Sequence, residues 1–156
     1  MKTPTALDLP MVDPLPEATQ KYFDICQDKL GMVPNVLQAY AFDIDKLNAF
    51  TTFYNDLMLA NSGLTKLERE MIAVVVSSIN RCFYCLTAHG AAVRELSGDP
   101  ILGEQLVMNY KAADLAPKQR AMLNFAALLT TASATVLLPN VQFQFCLQYA
   151  SACCQY

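Results

Sequence analysis

The chain has no tryptophan, a single histidine and only five glycines in 156 residues. So little glycine and only eight prolines exclude a collagen-like chain, and 54% hydrophobic content excludes a disordered one. There is no Lys/Arg-rich stretch, and eleven basic against fourteen acidic residues leave a net charge of −3. That balance argues against a nucleic-acid partner. The first twenty residues, MKTPTALDLPMVDPLPEATQ, lack the apolar run of a secretory leader. The expected compartment is therefore the cytoplasm, where cysteines are more often free, catalytic or metal-binding than structurally bridged.

Charge is missing altogether from one end. The 36 residues from Ala121 to Tyr156 contain no Lys, Arg, Asp or Glu. They hold Cys146, Cys153 and Cys154. Ordinary surface helices set an apolar stripe against a charged face, and this tail does not. Three readings are open for it: a buried or subunit-facing segment, a membrane-associated tail, or a departure of the reading frame from the ancestral sequence. Asn124, the hydroxyl residues and Pro139 weaken the membrane reading, and no membrane partner is expected.

What remains reads as helix. Residues 1–16 carry Pro4, Pro10, Pro14 and Pro16 and form an extended N-terminal arm. Tyr22, Phe23, Ile25, Cys26 and Leu30 lie at helical spacing from about Glu17, and Gly31 ends that helix. A short helix follows Pro34. Asp43 or Asp45 caps another that reaches Leu59, with Leu47, Phe50, Phe53, Tyr54, Leu57 and Met58 on its inner face. Thr65 and Glu68 have the spacing of a capping box and open a helix to about Asn80. Its Ile72–Val76 run is strand-like by propensity, but the box and the length favour a buried helix. Further helices are expected from Cys82 to Leu96, across residues 101–110, and from Pro117 onward. The expectation is an all-α bundle of about six to eight helices, with a C-x-x-C at the N-terminus of a central helix. The helical domain spans 17–130, and 131–156 is the atypical uncharged segment.

The chemistry is concentrated in Glu70–His89. Cys82 and Cys85 form a C-x-x-C, and His89 follows four residues later. On a helix 82, 85 and 89 share one stripe. A thiol in the first helical turn meets free N–H groups and the positive end of the helix dipole, which favour its thiolate. His89 can take or return a proton at Cys85. Glu70 is a lone carboxylate in an apolar helix, where burial is unfavourable unless it is paired or neutral. If the two helices meet near Asn80-Arg81, Glu70 can point back at the stripe and act as a general base. The alternatives are two core thiols in a non-catalytic scaffold, or a zinc site needing a fourth ligand from Glu70 or the tail cysteines. Cys26 reads as core.

Leu64–Glu70 and Asn80–Gly90, together with Gly31–Val36, Gly98-Asp99-Pro100 and Leu115–Leu123, resemble the carboxymuconolactone decarboxylase superfamily. Within it they are most similar to the AhpD-like, peroxidase-related branch. The resemblance covers about residues 15–130. It implies an all-helical homo-oligomer that reduces hydroperoxides. Position by position, it implies that Cys85 attacks the peroxide and becomes a sulfenic acid, and that Cys82 resolves it as a disulfide. Glu70 and His89 would form the relay that deprotonates Cys85. The oxidised pair would be re-reduced by a dithiol partner, a lipoylated or thioredoxin-like protein, with no flavin, haem or metal cofactor. One position departs from the characterised pattern: Tyr84 stands where a second histidine precedes the second cysteine. A phenol can support the site as a hydrogen-bond donor but does not serve as a base at neutral pH.

Overall fold

The structure is a computed structural model and describes residues 9–132. The expected readings of the first eight residues and of the tail beyond 132 lie outside the described residues. Among the described residues there are seven α-helices and no strand, as expected for an AhpD-like bundle. The described residues divide into two compact units that part between Ala60 and Asn61.

The first unit contains α1 (Glu17–Leu30), α2 (Asn35–Tyr40) and α3 (Ile44–Leu59). Gly31 ends α1 in the left-handed conformation, φ 71°, which a residue without Cβ adopts freely. Asp43 caps α3, its carboxylate accepting from the N–H groups of Asp45 and Lys46. Phe23, Cys26, Leu37, Ala41 and Leu47 form the core, and Tyr40 stacks on Phe50 with centroids 4.6 Å apart. The arm is tied down where the Val12 N–H donates to the Ala41 carbonyl. Cys26 is a core residue, and burial pushes its thiol up. The inner face read for α3 is only partly an inner face. Leu47 is buried, whereas Phe53 is 65% and Leu57 55% exposed, and Tyr54 is exposed as well. Helical spacing records which side of α3 is apolar, not whether anything covers it.

The second unit contains α4 (Lys66–Ile79), α5 (Phe83–Ser97), α6 (Leu102–Asn109), a 3-10 turn (Tyr110–Ala112) and α7 (Pro117–Ala132). Both halves of the capping box form: Glu68 N–H donates to the Thr65 hydroxyl, and Thr65 N–H to the Glu68 carboxylate. This commits a β-branched run to helix, and the surroundings complete the choice. α4 packs against α5, α6 and α7, so Met71, Val74 and Val75 are buried with Val93, Leu106 and Leu123. A helix enclosed on several sides has no need of a charged face. The polar groups beneath it are satisfied: Lys118 reaches Glu68 at 3.0 Å, and Arg69 donates to the Ser62 hydroxyl. At α6, Gly103 sits where an added Cβ would lie 2.9 Å from the Gly90 carbonyl oxygen of α5. That close approach is possible because position 103 has no side chain.

Candidate active site

The site is built by the reversal between α4 and α5. Asn80 caps α4 in the αR region, Arg81 takes φ 55°, and Cys82 is extended. A left-handed non-glycine residue is uncommon and is held here by its surroundings. The Cys82 N–H donates to the Ser77 carbonyl at 3.0 Å, and the Arg81 N–H to that of Ser78 at 3.1 Å. Three residues thus join the two helices, and α5 returns along α4.

The reversal places Glu70 opposite His89. The Nδ1 of His89 and Oε2 of Glu70 are 2.7 Å apart. Both side chains are mostly enclosed, 21% exposed for His89 and 16% for Glu70. A carboxylate accepts only, so it assigns the N–H to Nδ1 and leaves Nε2 of the neutral ring as an acceptor.

Cys82 is the N-cap of α5, one position before the first turn expected from the sequence, and Cys85 is at N3. Both thiols are free and partly buried, with sulfurs 3.1 Å apart. They share a hydrogen bond. Donation from the Cys85 S–H lowers the Cys82 thiol, and the backbone N–H groups of Cys85 and Tyr84 act in the same direction. Those amides favour the thiolate without closing a cap hydrogen bond of ordinary geometry. Cys85 is raised, first by burial and then by its bond and charge interaction with Cys82, while a hydrogen bond from the Ser77 side chain opposes the rise. Of the two thiols, Cys82 is therefore the first to give up its proton as pH rises, and Cys85 the one that keeps it longer.

Ser77 is the site residue that the sequence reading passed over. Its one signal was position: it lies seven residues after Glu70, on the same face of α4. Tyr84 contributes its backbone amide to the sulfur of Cys82. Among the described residues no three His, Cys, Asp or Glu side chains are grouped to hold a metal ion. No helix of the described residues is long and apolar enough to cross a membrane.

A helical hairpin that carries two adjacent thiols at its turn and an imidazole–carboxylate pair further along defines a dithiol-site protein of the AhpD type. A model of the carboxymuconolactone decarboxylase family matches residues 45–100. An uncharacterised peroxidase-related protein from Silicibacter sp. TM1040 is 70% identical, with a TM-score of 0.87 over 92% of this chain and 75% of that one. The alkylhydroperoxidase AhpD core of an uncharacterised peroxidase-related protein from Ralstonia eutropha JMP134 is 40% identical. It has a TM-score of 0.81 over 89% of this chain and 73% of that one. No curated protein matches the chain. The chain belongs to the carboxymuconolactone decarboxylase family, in its AhpD-like, peroxidase-related branch.

Proposed function

We propose that the chain is a thiol-dependent peroxidase and disulfide oxidoreductase that reduces hydroperoxides through Cys82 and Cys85. The observation that carries this reading is the Glu70–His89 pair, 2.7 Å apart, on the two helices whose turn holds the sulfurs 3.1 Å apart. Neither a scaffold nor a core thiol pair needs that combination.

Glu70 fixes the Nδ1–H of His89, and Nε2 takes the Cys85 proton through water. The Cys85 thiolate attacks the terminal peroxide oxygen. An S–O bond forms and the O–O bond breaks, leaving a sulfenic acid on Cys85 and an alkoxide that takes the proton from His89 and departs as the alcohol. Cys82, already favoured as a thiolate, attacks the Cys85 sulfur. The S–S bond forms and hydroxide leaves, to be protonated to water. Two electrons pass from the dithiol to the peroxide. A dithiol reductant, such as a lipoylated or thioredoxin-like protein, returns them by exchange.

The test is one equivalent of an organic hydroperoxide added to the pre-reduced protein, followed by thiol alkylation and mass analysis of the peptide holding both cysteines. The expected result is a rapid Cys82–Cys85 disulfide in wild type and none in Cys85→Ser. In Cys82→Ser, a sulfenic acid trappable by dimedone should accumulate at Cys85. Two free thiols after peroxide would reject the reading in favour of a non-catalytic scaffold.

A further inference from the structure

We propose that the thiol-bearing end of α4, α5 and α6 is the landing surface of the reductant: Arg81, Phe83 and Met108 receive an acidic protein dithiol that presents an apolar face. The inference rests on the dithiol reading above and adds where its partner binds and by what contacts.

Large apolar side chains scattered over a surface are ordinary. These two are not scattered. Among the described residues Met108, 84% exposed, and Phe83, 82% exposed, are the most exposed large hydrophobic side chains, and Phe53 follows at 65%. Neither Phe83 nor Met108 belongs to the core around Met71 and Leu106. Phe83 opens α5 directly after Cys82, and Met108 lies next to the last residue of α6. Ser78 ties the two places together. Its hydroxyl donates to the Val107 carbonyl at 2.5 Å, and its carbonyl accepts from the Arg81 N–H at 3.1 Å. The meeting of Gly90 with Gly103 agrees with this register, because α6 folds back along α5 after a short link. The start of α5 and the end of α6 therefore share one end of the unit, and that end holds the sulfurs.

Charge at the turn has one sign. Arg81 is exposed, and no Asp or Glu occurs from Met71 to Arg94. On α6 the Glu104 carboxylate is held by Arg94. A positive turn in a chain of net charge −3 suits an acidic partner. Phe, Met and Arg are also the residue types enriched at the centres of protein interfaces.

A small hydroperoxide needs little of this surface. A protein that delivers a dithiol must seat its own surface around the sulfur it attacks, and Arg81 and Phe83 border Cys82 on either side. The partner's thiolate attacks Cys82. The S–S bond to Cys85 breaks, a mixed disulfide forms, and Cys85 leaves and takes up a proton from water. The partner's second thiol then attacks its own sulfur in the mixed disulfide and releases Cys82. Two electrons pass from the partner, which becomes the disulfide, to this chain, which regains its dithiol.

The experiment starts from protein oxidised with diamide and follows its reduction by two probes: reduced thioredoxin, an acidic protein dithiol, and dithiothreitol. Wild type should be reduced faster by thioredoxin than by dithiothreitol at equal dithiol concentration. Phe83→Ala should slow the thioredoxin reaction by about tenfold, and Phe83→Ala with Met108→Ala by more. Both should leave the dithiothreitol rate unchanged. Arg81→Asn, a residue that tolerates the left-handed backbone, should remove most of the salt dependence of the thioredoxin reaction. Phe53→Ala, on the other unit, should match wild type. An unchanged thioredoxin rate in the double variant would overturn the proposal, as would equal slowing with both probes or a wild type that thioredoxin reduces no faster. A fall in native mass in the double variant would assign the surface to a second copy of the chain and overturn it too. Diamide replaces peroxide, so the landing surface is judged even if hydroperoxides form no disulfide and the peroxidase reading falls. A chain that diamide leaves as two thiols would overturn both.

Discussion

His89 and Glu70 stand 19 residues apart in sequence and 2.7 Å apart in space, Nδ1 to Oε2. The pair exists because a short reversal lays α5 back along α4. It converts a mostly enclosed carboxylate of α4 into the group that fixes the tautomer of the chain's single histidine.

Glu70→Gln should therefore leave the fold intact and slow peroxide-driven disulfide formation by about a hundredfold. An amide can still bond the ring, but it supplies no charge to support a protonated imidazole. Rapid-quench kinetics with a parallel circular-dichroism melt checks both halves. Adding Glu70→Gln to His89→Asn should cost little more than His89→Asn alone, because the two residues act as a unit. An unchanged single-mutant rate would remove Glu70 from the mechanism.

The two thiols should titrate in opposite directions. Cys82 is lowered, chiefly by the hydrogen bond from Cys85, so its thiolate persists as pH falls below the ordinary thiol range. Cys85 is raised, chiefly by burial, so its proton persists as pH rises. Alkylation at neutral pH, resolved by peptide mass, should label Cys82 first. Cys85→Ala removes the donor and should shift the Cys82 profile to higher pH. Equal labelling of both sulfurs at neutral pH would contradict this order.

Much of this architecture was legible because its signals are local. Thr65 and Glu68 announced the start of α4, Gly31 the end of α1, and Pro117 the start of α7. The Glu70–His89 meeting was also readable, since a short link between two helices leaves few ways to arrange them. Ser77 was not. Its carbonyl accepts the Cys82 N–H, a contact that arises only once the chain reverses between α4 and α5. The exposed face of α3 failed for the opposite reason: Phe53 and Leu57 keep perfect helical spacing whether or not anything lies against them.

The capping box should carry measurable stability. Glu68 is buried, which alone would raise its carboxyl, but bonds from the Thr65 N–H and from Lys118 bring it below the usual carboxylate range. A group with a lowered folded-state value stabilises the fold above its unfolded value. That contribution is lost as pH falls through the folded one. Glu68→Gln should flatten the acid limb of a stability-against-pH curve. Thr65→Ala should lower stability at neutral pH by about 1 kcal/mol. Urea melts at several pH values measure both.

Gly103→Ala tests whether packing behind the site holds His89 in place. The new Cβ would lie 2.9 Å from the Gly90 carbonyl oxygen and 3.2 Å from Cγ of Arg94. Arg94 is a flexible side chain and can yield. The Gly90 carbonyl is backbone and can yield only if α6 moves away or α5 shifts at the residue that follows His89. Overpacking of this kind costs about 1–3 kcal/mol. The variant should therefore melt earlier than wild type. If α5 is the element that shifts, it should also oxidise more slowly, with the loss falling on the same step as in Glu70→Gln. A lower melting point with an unchanged oxidation rate would show that α6 takes up the strain, leaving the Glu70–His89 geometry to the α4–α5 turn alone.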